Sequence, residues 1–325
     1  MRILVLGGAR LVGRHILEAV VAAGHEVTML SRGQTQAELP AEVERLTGDR
    51  NDGAAGLAAL TGRSWDACVD VSGYTPLQVR SSTEFLKGRV KRYVFISTVS
   101  VYAEQNRHPV RETDPLLPPA AGDVTEVTGD TYGPLKVACE AIVQDVYGDA
   151  CTVLRPQLVA GPHDYTARYS YWPDRAARGG TVLAAGKDDF IQVIDARDIG
   201  RFVVNVIQND LGGVFNMAGP RLTWGEFLSL LGVKDVRWTT AGELERVGVK
   251  FYELPIYLPV DNEQGGIMNT SNERARAAGL TLTDPLTTAR DTREWSKDAD
   301  VQYPLTPERE AEILALLKNA AAVDK

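Results

Sequence analysis

The sequence predicts a doubly wound α/β fold, a parallel sheet with helices on both faces, interleaved with a smaller and mostly helical lobe. Three observations lead there. Short, continuously apolar, β-branched runs alternate with amphipathic segments through the first half of the chain. A glycine cluster separates the first run from the first amphipathic segment. The rhythm lapses over 160–178 and then returns, the mark of a second lobe inserted into the first.

In order, strands are expected at 3–6, 27–30, 43–47, 67–71 and 92–97, with helices at 13–23 and 79–87 between them. A helix over 132–146 and a strand over 151–154 follow. The pattern resumes with a strand near 192–194, a helix over 196–208 and a strand at 214–216. Beyond it, Thr223 with Glu226 and Thr240 with Glu243 form capping-box patterns, and Thr306 before Pro307 opens a last helix ending near Lys318. The expected division is 1–159 plus 187–219 for the sheet domain, 160–186 plus 220–319 for the second lobe, and 320–325 as a tail.

Composition narrows the function. The 325 residues are 44% hydrophobic, enough for a full core. A net charge of −8 with no basic run disfavours nucleic acid and anionic membranes as partners. Three cysteines and four histidines show neither disulfide nor metal-ligand spacing, so no metal is expected. No apolar stretch approaches the ~20 residues of a membrane span. The first strand begins at Arg2, leaving no room for a targeting segment; a soluble, cytoplasmic protein is expected.

The segment "ILVLGGARLVGRHI" places Gly7, Gly8 and Gly13 between strand and helix. A dinucleotide needs a tight turn, close backbone approach to its pyrophosphate, and a helix N-terminus aimed at the negative charge. The turn residues Gly7, Gly8, Arg10, Leu11, Val12 and Gly13 are therefore candidate cofactor contacts; an ordinary tight turn is the plain alternative. Arg10 occupies the middle glycine position of the usual spacing, where a guanidinium would either lie beside phosphates or point into solvent. After the second strand, Ser31 and Arg32 stand where an acid would read the ribose. Arginines at 10 and 32 favour NADP(H) over NAD(H). In "GDRND", Asp49, with Arg50 beside it, either accepts from the adenine amino group or caps a turn.

Tyr132 and Lys136 lie at i and i+4 on one helix face. A phenol with pKa near 10 is a poor acid–base group at neutral pH. A lysine ammonium one turn away, together with a cationic nicotinamide, is expected to lower that value. Upstream, "YVFISTVSVYA" ends a strand with Ser97, Thr98 and Ser100, hydroxyls that either bind a substrate oxygen or cap the next element.

With these landmarks, the chain resembles the extended short-chain dehydrogenase/reductases of the NAD-dependent epimerase/dehydratase family, a Rossmann-type fold. The matching segments, in family order, are "GGARLVG", "GDRND", "FISTVSVY", "YGPLK", "LRPQLVAGP", "IQVIDARDIGRF" and "GGVFNMAGP". The resemblance implies Thr98 as the catalytic hydroxyl, Tyr132 as acid–base and Lys136 as its partner. It further implies cofactor contacts at Gly7, Gly13, Asp49 and Ser72, and places Pro156, Gln157 and Leu158 near the nicotinamide carboxamide. Asp195 and Asp198 match an interlobe segment and read as structural.

Two departures inform the chemistry. Arg10 in place of glycine matches an atypical branch that includes chloroplast RNA-binding relatives. Val99 and Ser100 replace the Asp-Glu pair of sugar-nucleotide 4,6-dehydratases, which argues against that elimination. The expected activity is hydride transfer at a secondary alcohol or ketone. An NAD-retaining sugar-nucleotide epimerase and a non-catalytic nucleotide- or RNA-binding relative are the alternatives.

The aromatic and basic stretch from 160 to 178 suits a flat or phosphorylated small-molecule substrate such as a sugar nucleotide, or else packs the lobes together. A homodimer through helices of the cofactor domain, common among relatives, is left open by the sequence.

Overall fold

The computed structural model describes residues 1–35 and 37–323. A seven-stranded sheet forms its centre: β1 (Arg2–Leu6), β2 (Glu26–Ser31), β3 (Val43–Thr47), β4 (Trp65–Asp70), β5 (Val90–Ile96), β6 (Cys151–Pro156) and, later in the chain, β11 (Gly213–Met217). The order is β11-β6-β5-β4-β1-β2-β3, and every pairing is parallel. The order reverses between β1 and β4, which opens a crevice at the C-terminal ends of these two strands.

Side-chain alternation builds both faces. Ile3 and Val5 of β1, Val69 of β4 and Val94 of β5 point to one side, where α1 (Leu11–Ala22) and α5 (Ala196–Gln208) cover them with Ile16, Val20, Phe202 and Val206. Leu4, Leu6, Cys68 and Phe95 point to the other, under α2 (Pro76–Leu86) and α3 (Gly129–Tyr147). Burial on both faces is why these strands read as unbroken apolar runs.

The second lobe has its own core. It contains β7 (Val159–Ala160), α4 (Tyr171–Arg178), β8 (Val182–Ala185), β9 (Phe190–Gln192), β10 (Ile194–Asp195), β12 (Arg221–Thr223), α6 (Trp224–Leu230), β13 (Val236–Thr239) and α7 (Ala241–Arg246). α8 (Glu273–Ala277) puts its buried Ala275 into the core of the main sheet, whereas α9 (Pro285–Ser296) and α10 (Pro307–Val323) follow in the second lobe. Its helices are joined by three two-stranded sheets, β7 with β10, β9 with β12 and β8 with β13, of which the sequence announced only the strand near 192. Both expected capping boxes are present, and two more, Thr75 with Gln78 and Thr128 with Thr131, open α2 and α3. The last helix runs past Lys318 to Val323; of the expected tail, residues 324 and 325 lie outside the described residues. Among the described residues no helix is long and apolar enough to cross a membrane.

Candidate active site

The glycine turn leaves β1 at the crevice. Gly7 and Gly8 have φ of +92° and +114°, a region closed to most L-residues. A Cβ at Gly13 would stand 2.3 Å from Gly8 Cα, so the turn folds onto the start of α1. One at Gly7 would meet Ser72 Oγ at 2.7 Å. The cradle is thus lined by backbone, and Leu11 and Val12 contribute first-turn amides. Arg10 at the N-cap makes no side-chain cap, and the first turn of α1 holds no acid. Orphan amides facing the crevice without a competing carboxylate fit a pyrophosphate.

Two candidate residues around this turn have partners within the protein. The Arg50 guanidinium, expected beside the cofactor, is buried in a bidentate pair with Asp70, at 2.7 and 2.8 Å, and also donates to Ser72 and Ser82. Burial pushes the Asp70 carboxyl up, but the Arg50 charge and hydrogen bonds from Arg50 and Tyr93 outweigh it and hold it below its ordinary value. Arg50 therefore locks Ser72 against Gly7 from behind. Asp49 caps the turn that follows it, accepting from Asn51 N–H at 3.0 Å. Ser31 accepts from Gly33 N–H, while Arg32 is exposed with no partner among the described residues.

Thr98 ends β5 and caps the short turn that follows, accepting from Ser100 N–H at 3.1 Å and donating to Ser100 Oγ at 3.2 Å. Gly133 lets α3 approach that turn, since a Cβ there would lie 2.4 Å from Ser100 O. Tyr132 is thereby brought to Thr98. Burial and the neighbouring Tyr74 push the Tyr132 phenol up to about 12, against the nearby Thr98 hydroxyl and the charge of Arg168. The expected lowering by Lys136 is not what the geometry delivers, because burial dominates.

Lys136 is itself buried, donating to Gly73 O at 2.8 Å and Ile96 O at 2.7 Å, with Nζ 4.1 Å from the centre of the Phe95 ring. Burial pulls its pKa down to about 8 despite Cys139, Asp70 and Glu140 nearby. Two of its three donors are spent on carbonyls, leaving one. Ser97 is engaged elsewhere, donating to Glu140, whose carboxylate pairs with Arg155.

Pro156, Gln157 and Leu158 carry the chain off β6. Gln157 is buried and donates to Ile267 O of the second lobe at 3.3 Å, and its Oε1 has no partner among the described residues. Asp195 and Asp198 are structural: Asp195 caps α5 and accepts from Thr288, and Asp198 accepts from Thr283. The aromatic stretch divides in two. Tyr169, Tyr171 and Trp172 lie in the second core, and Arg175 pairs with buried Glu310. Tyr165 and Arg168 remain exposed. Asp70 and Glu140 had no local signal in the sequence, because the side chains they pair with, Arg50 and Arg155, lie 20 and 15 residues away.

The sequence model of the NAD-dependent epimerase/dehydratase family matches residues 3–218. The chain belongs to this family. Among curated relatives, a chloroplast stem-loop binding protein of 41 kDa from Arabidopsis thaliana is 24% identical over 236 residues, 68% of this chain and 59% of that protein. The 2'-dehydrokanamycin reductase of Streptomyces kanamyceticus is 27% identical over 218 residues, 65% of this chain and 59% of that one. The chain thus spans about three-fifths of the length of these relatives. A UDP-glucose 4-epimerase of Lacticaseibacillus casei is 28% identical over 184 residues, 50% of this chain and 52% of that protein.

The Rossmann-type fold is shared with solved structures. The Bordetella bronchiseptica enzyme WbmH, in complex with NAD+, superposes with a TM-score of 0.69 at 15% identity, covering 92% of this chain and 99% of that one. A UDP-glucose 4-epimerase from Bifidobacterium longum, in complex with NAD+ and UDP, gives 0.65 at 16% identity, covering 92% and 99%.

Proposed function

We propose that the chain is a nicotinamide-dinucleotide-dependent oxidoreductase acting on a secondary alcohol or ketone, with Tyr132 as acid–base. The observation that carries this is the approach of Tyr132 to Thr98, one helical turn from buried Lys136 and beside the crevice that holds the glycine turn. Gly7, Gly8, Gly13 and the first-turn amides of α1 would hold the pyrophosphate, and Pro156–Leu158 the nicotinamide end. A bound nicotinamide dinucleotide supplies the hydride donor or acceptor.

The chain's own residues handle the oxygen and its proton. Thr98 and Tyr132 hydroxyls bind the substrate oxygen. In reduction the phenol gives its proton to the forming alkoxide; in oxidation it takes the proton from the alcohol. A phenol raised to about 12 holds its proton at neutral pH, which suits reduction as the molecule stands. The positive charge of Arg168 stabilises the phenolate left behind.

Exposed Arg32 supports NADP(H) over NAD(H) and so a reductase that exchanges its coenzyme. The similarity to UDP-glucose 4-epimerases supports the alternative, a resident NAD with internal recycling on a sugar nucleotide, and exposed Tyr165 and Arg168 suit such a ligand. The similarity to the stem-loop binding protein supports RNA as a partner, against which stands the net charge of −8. Denaturing purified protein and identifying any released nucleotide by mass spectrometry separates these readings. Released NAD supports the epimerase; an empty crevice titrated more tightly by NADPH than NADH supports the reductase. Binding of neither overturns the proposal.

A further inference from the structure

One contact spans the crevice between the cofactor turn and the second lobe. The guanidinium carbon of Arg10 stands 4.9 Å from the centre of the Tyr165 ring. The two residues are far apart in sequence, and the Arg10 guanidinium has no hydrogen bond or ion pair among the described residues. A guanidinium that uses its face for a ring keeps its in-plane N–H donors free, and these form the fork that grips phosphate oxygens.

Tyr165 is 58% exposed, yet its place is fixed by the loop beneath it. The Asp164 carboxylate, fully buried, accepts from the N–H groups of Thr166 and Tyr169 at 3.0 and 3.2 Å. His163 and Ala167, on either side, hold left-handed backbone with φ of +69° and +57°. The loop is also tied to α1. His15 Nε2 lies 3.1 Å from Pro162 O, and the His163 ring packs at a tilt between His15 and Trp295, with centroid distances of 5.9 and 5.4 Å. A large ring is thus held out of the core on a loop braced against the helix that Arg10 opens.

We propose that Tyr165 is a positioning residue for coenzyme binding. Its ring holds the Arg10 guanidinium over the crevice, so that the dinucleotide pyrophosphate is gripped between Arg10 and the glycine turn and leaves slowly. The proposal rests on the reading of the crevice as a dinucleotide site. It gives Arg10, the residue that departs from the glycine spacing, a defined partner, and makes the second lobe part of the coenzyme grip.

The test is coenzyme release, followed by stopped-flow fluorescence with NADH and NADPH in parallel. It compares the unaltered protein with Tyr165→Ala, Tyr165→Phe, Arg10→Ala and the double variant. Tyr165→Ala should speed release roughly 2- to 30-fold, the span expected for loss of a cation–ring contact. Tyr165→Phe, which keeps the ring, should restore slow release. In the Arg10→Ala background, Tyr165→Ala should add nothing. Binding of reduced nicotinamide mononucleotide, which lacks the pyrophosphate, should be the same in all five proteins. Unchanged release in Tyr165→Ala, or an undiminished effect without Arg10, overturns this inference alone. Failure of the unaltered protein to bind either dinucleotide overturns the parent reading and this one with it.

Discussion

Glu140 and Arg155 form a buried ion pair beneath the candidate site, and breaking it gives a prediction of defined size. Both side chains are 3% exposed, with contacts of 2.7 and 3.1 Å, and Arg155 also donates to the Tyr102 hydroxyl. Glu140 follows Lys136 by one turn of α3, so the pair fastens the helix that carries Tyr132 to β6. Glu140→Ala leaves the guanidinium buried beside Tyr102 with its charge uncompensated, at a cost of about 3–5 kcal/mol. The unfolding entropy of a chain this long is about 0.7 kcal/mol/K, so the midpoint should fall by about 4–7 °C.

Pairing Glu140→Met with Arg155→Met removes both charges and should recover most of that loss, because a desolvated pair gains little over apolar packing. Urea and thermal unfolding of Glu140→Ala, the two Met single variants and the double variant measure this. A single-variant loss below about 1 kcal/mol, or a double variant as unstable as the sum of its singles, refutes the reasoning.

Two further outcomes follow from the same geometry. Gly13→Ala puts a methyl 2.3 Å from the Gly8 backbone, so the turn must open and coenzyme affinity should fall by about 100-fold, the cost of a few kcal/mol of misplaced contacts, as read by fluorescence titration. For Lys136, burial lowers the folded-state pKa to about 8 from an ordinary 10.5, so between these values the unfolded chain binds a proton that the folded one has lost. Stability from this group therefore rises with pH across about 8 to 10.5, by up to ~1.4 kcal/mol per pH unit. Lys136→Met should flatten the rise in urea midpoints across that window, and an identical slope in both proteins contradicts the assignment.

Much of the molecule was legible in the sequence because its signals are local. The glycine cluster lies within one turn, Tyr132 and Lys136 within one helix, and Thr98 at the end of an apolar run. The strands of the main sheet announced themselves through burial on both faces. The small sheets of the second lobe did not, since strands such as Val159–Ala160 are two residues long and take their partners from distant segments. Long-range partners also explain the reassigned side chains. Arg50 meets Asp70 twenty residues on, and Arg175 meets Glu310 across the second lobe. The direction of the Tyr132 titration could not be read from the Tyr/Lys spacing, because burial sets it and spacing carries no burial.

The central claim is that the Tyr132 phenol faces the reactive ring of a nicotinamide coenzyme. It can be tested without a substrate by labelling tyrosine at Cζ with carbon-13 and following each phenol by NMR across pH, with Tyr132→Phe assigning the resonance. In the free protein this phenol should titrate near 12. Saturating oxidised coenzyme, which brings a positive ring alongside, should move the midpoint down by about 1 to 3 on the pH scale. Reduced coenzyme should move it less. An unchanged midpoint with the oxidised coenzyme demonstrably bound would contradict the account.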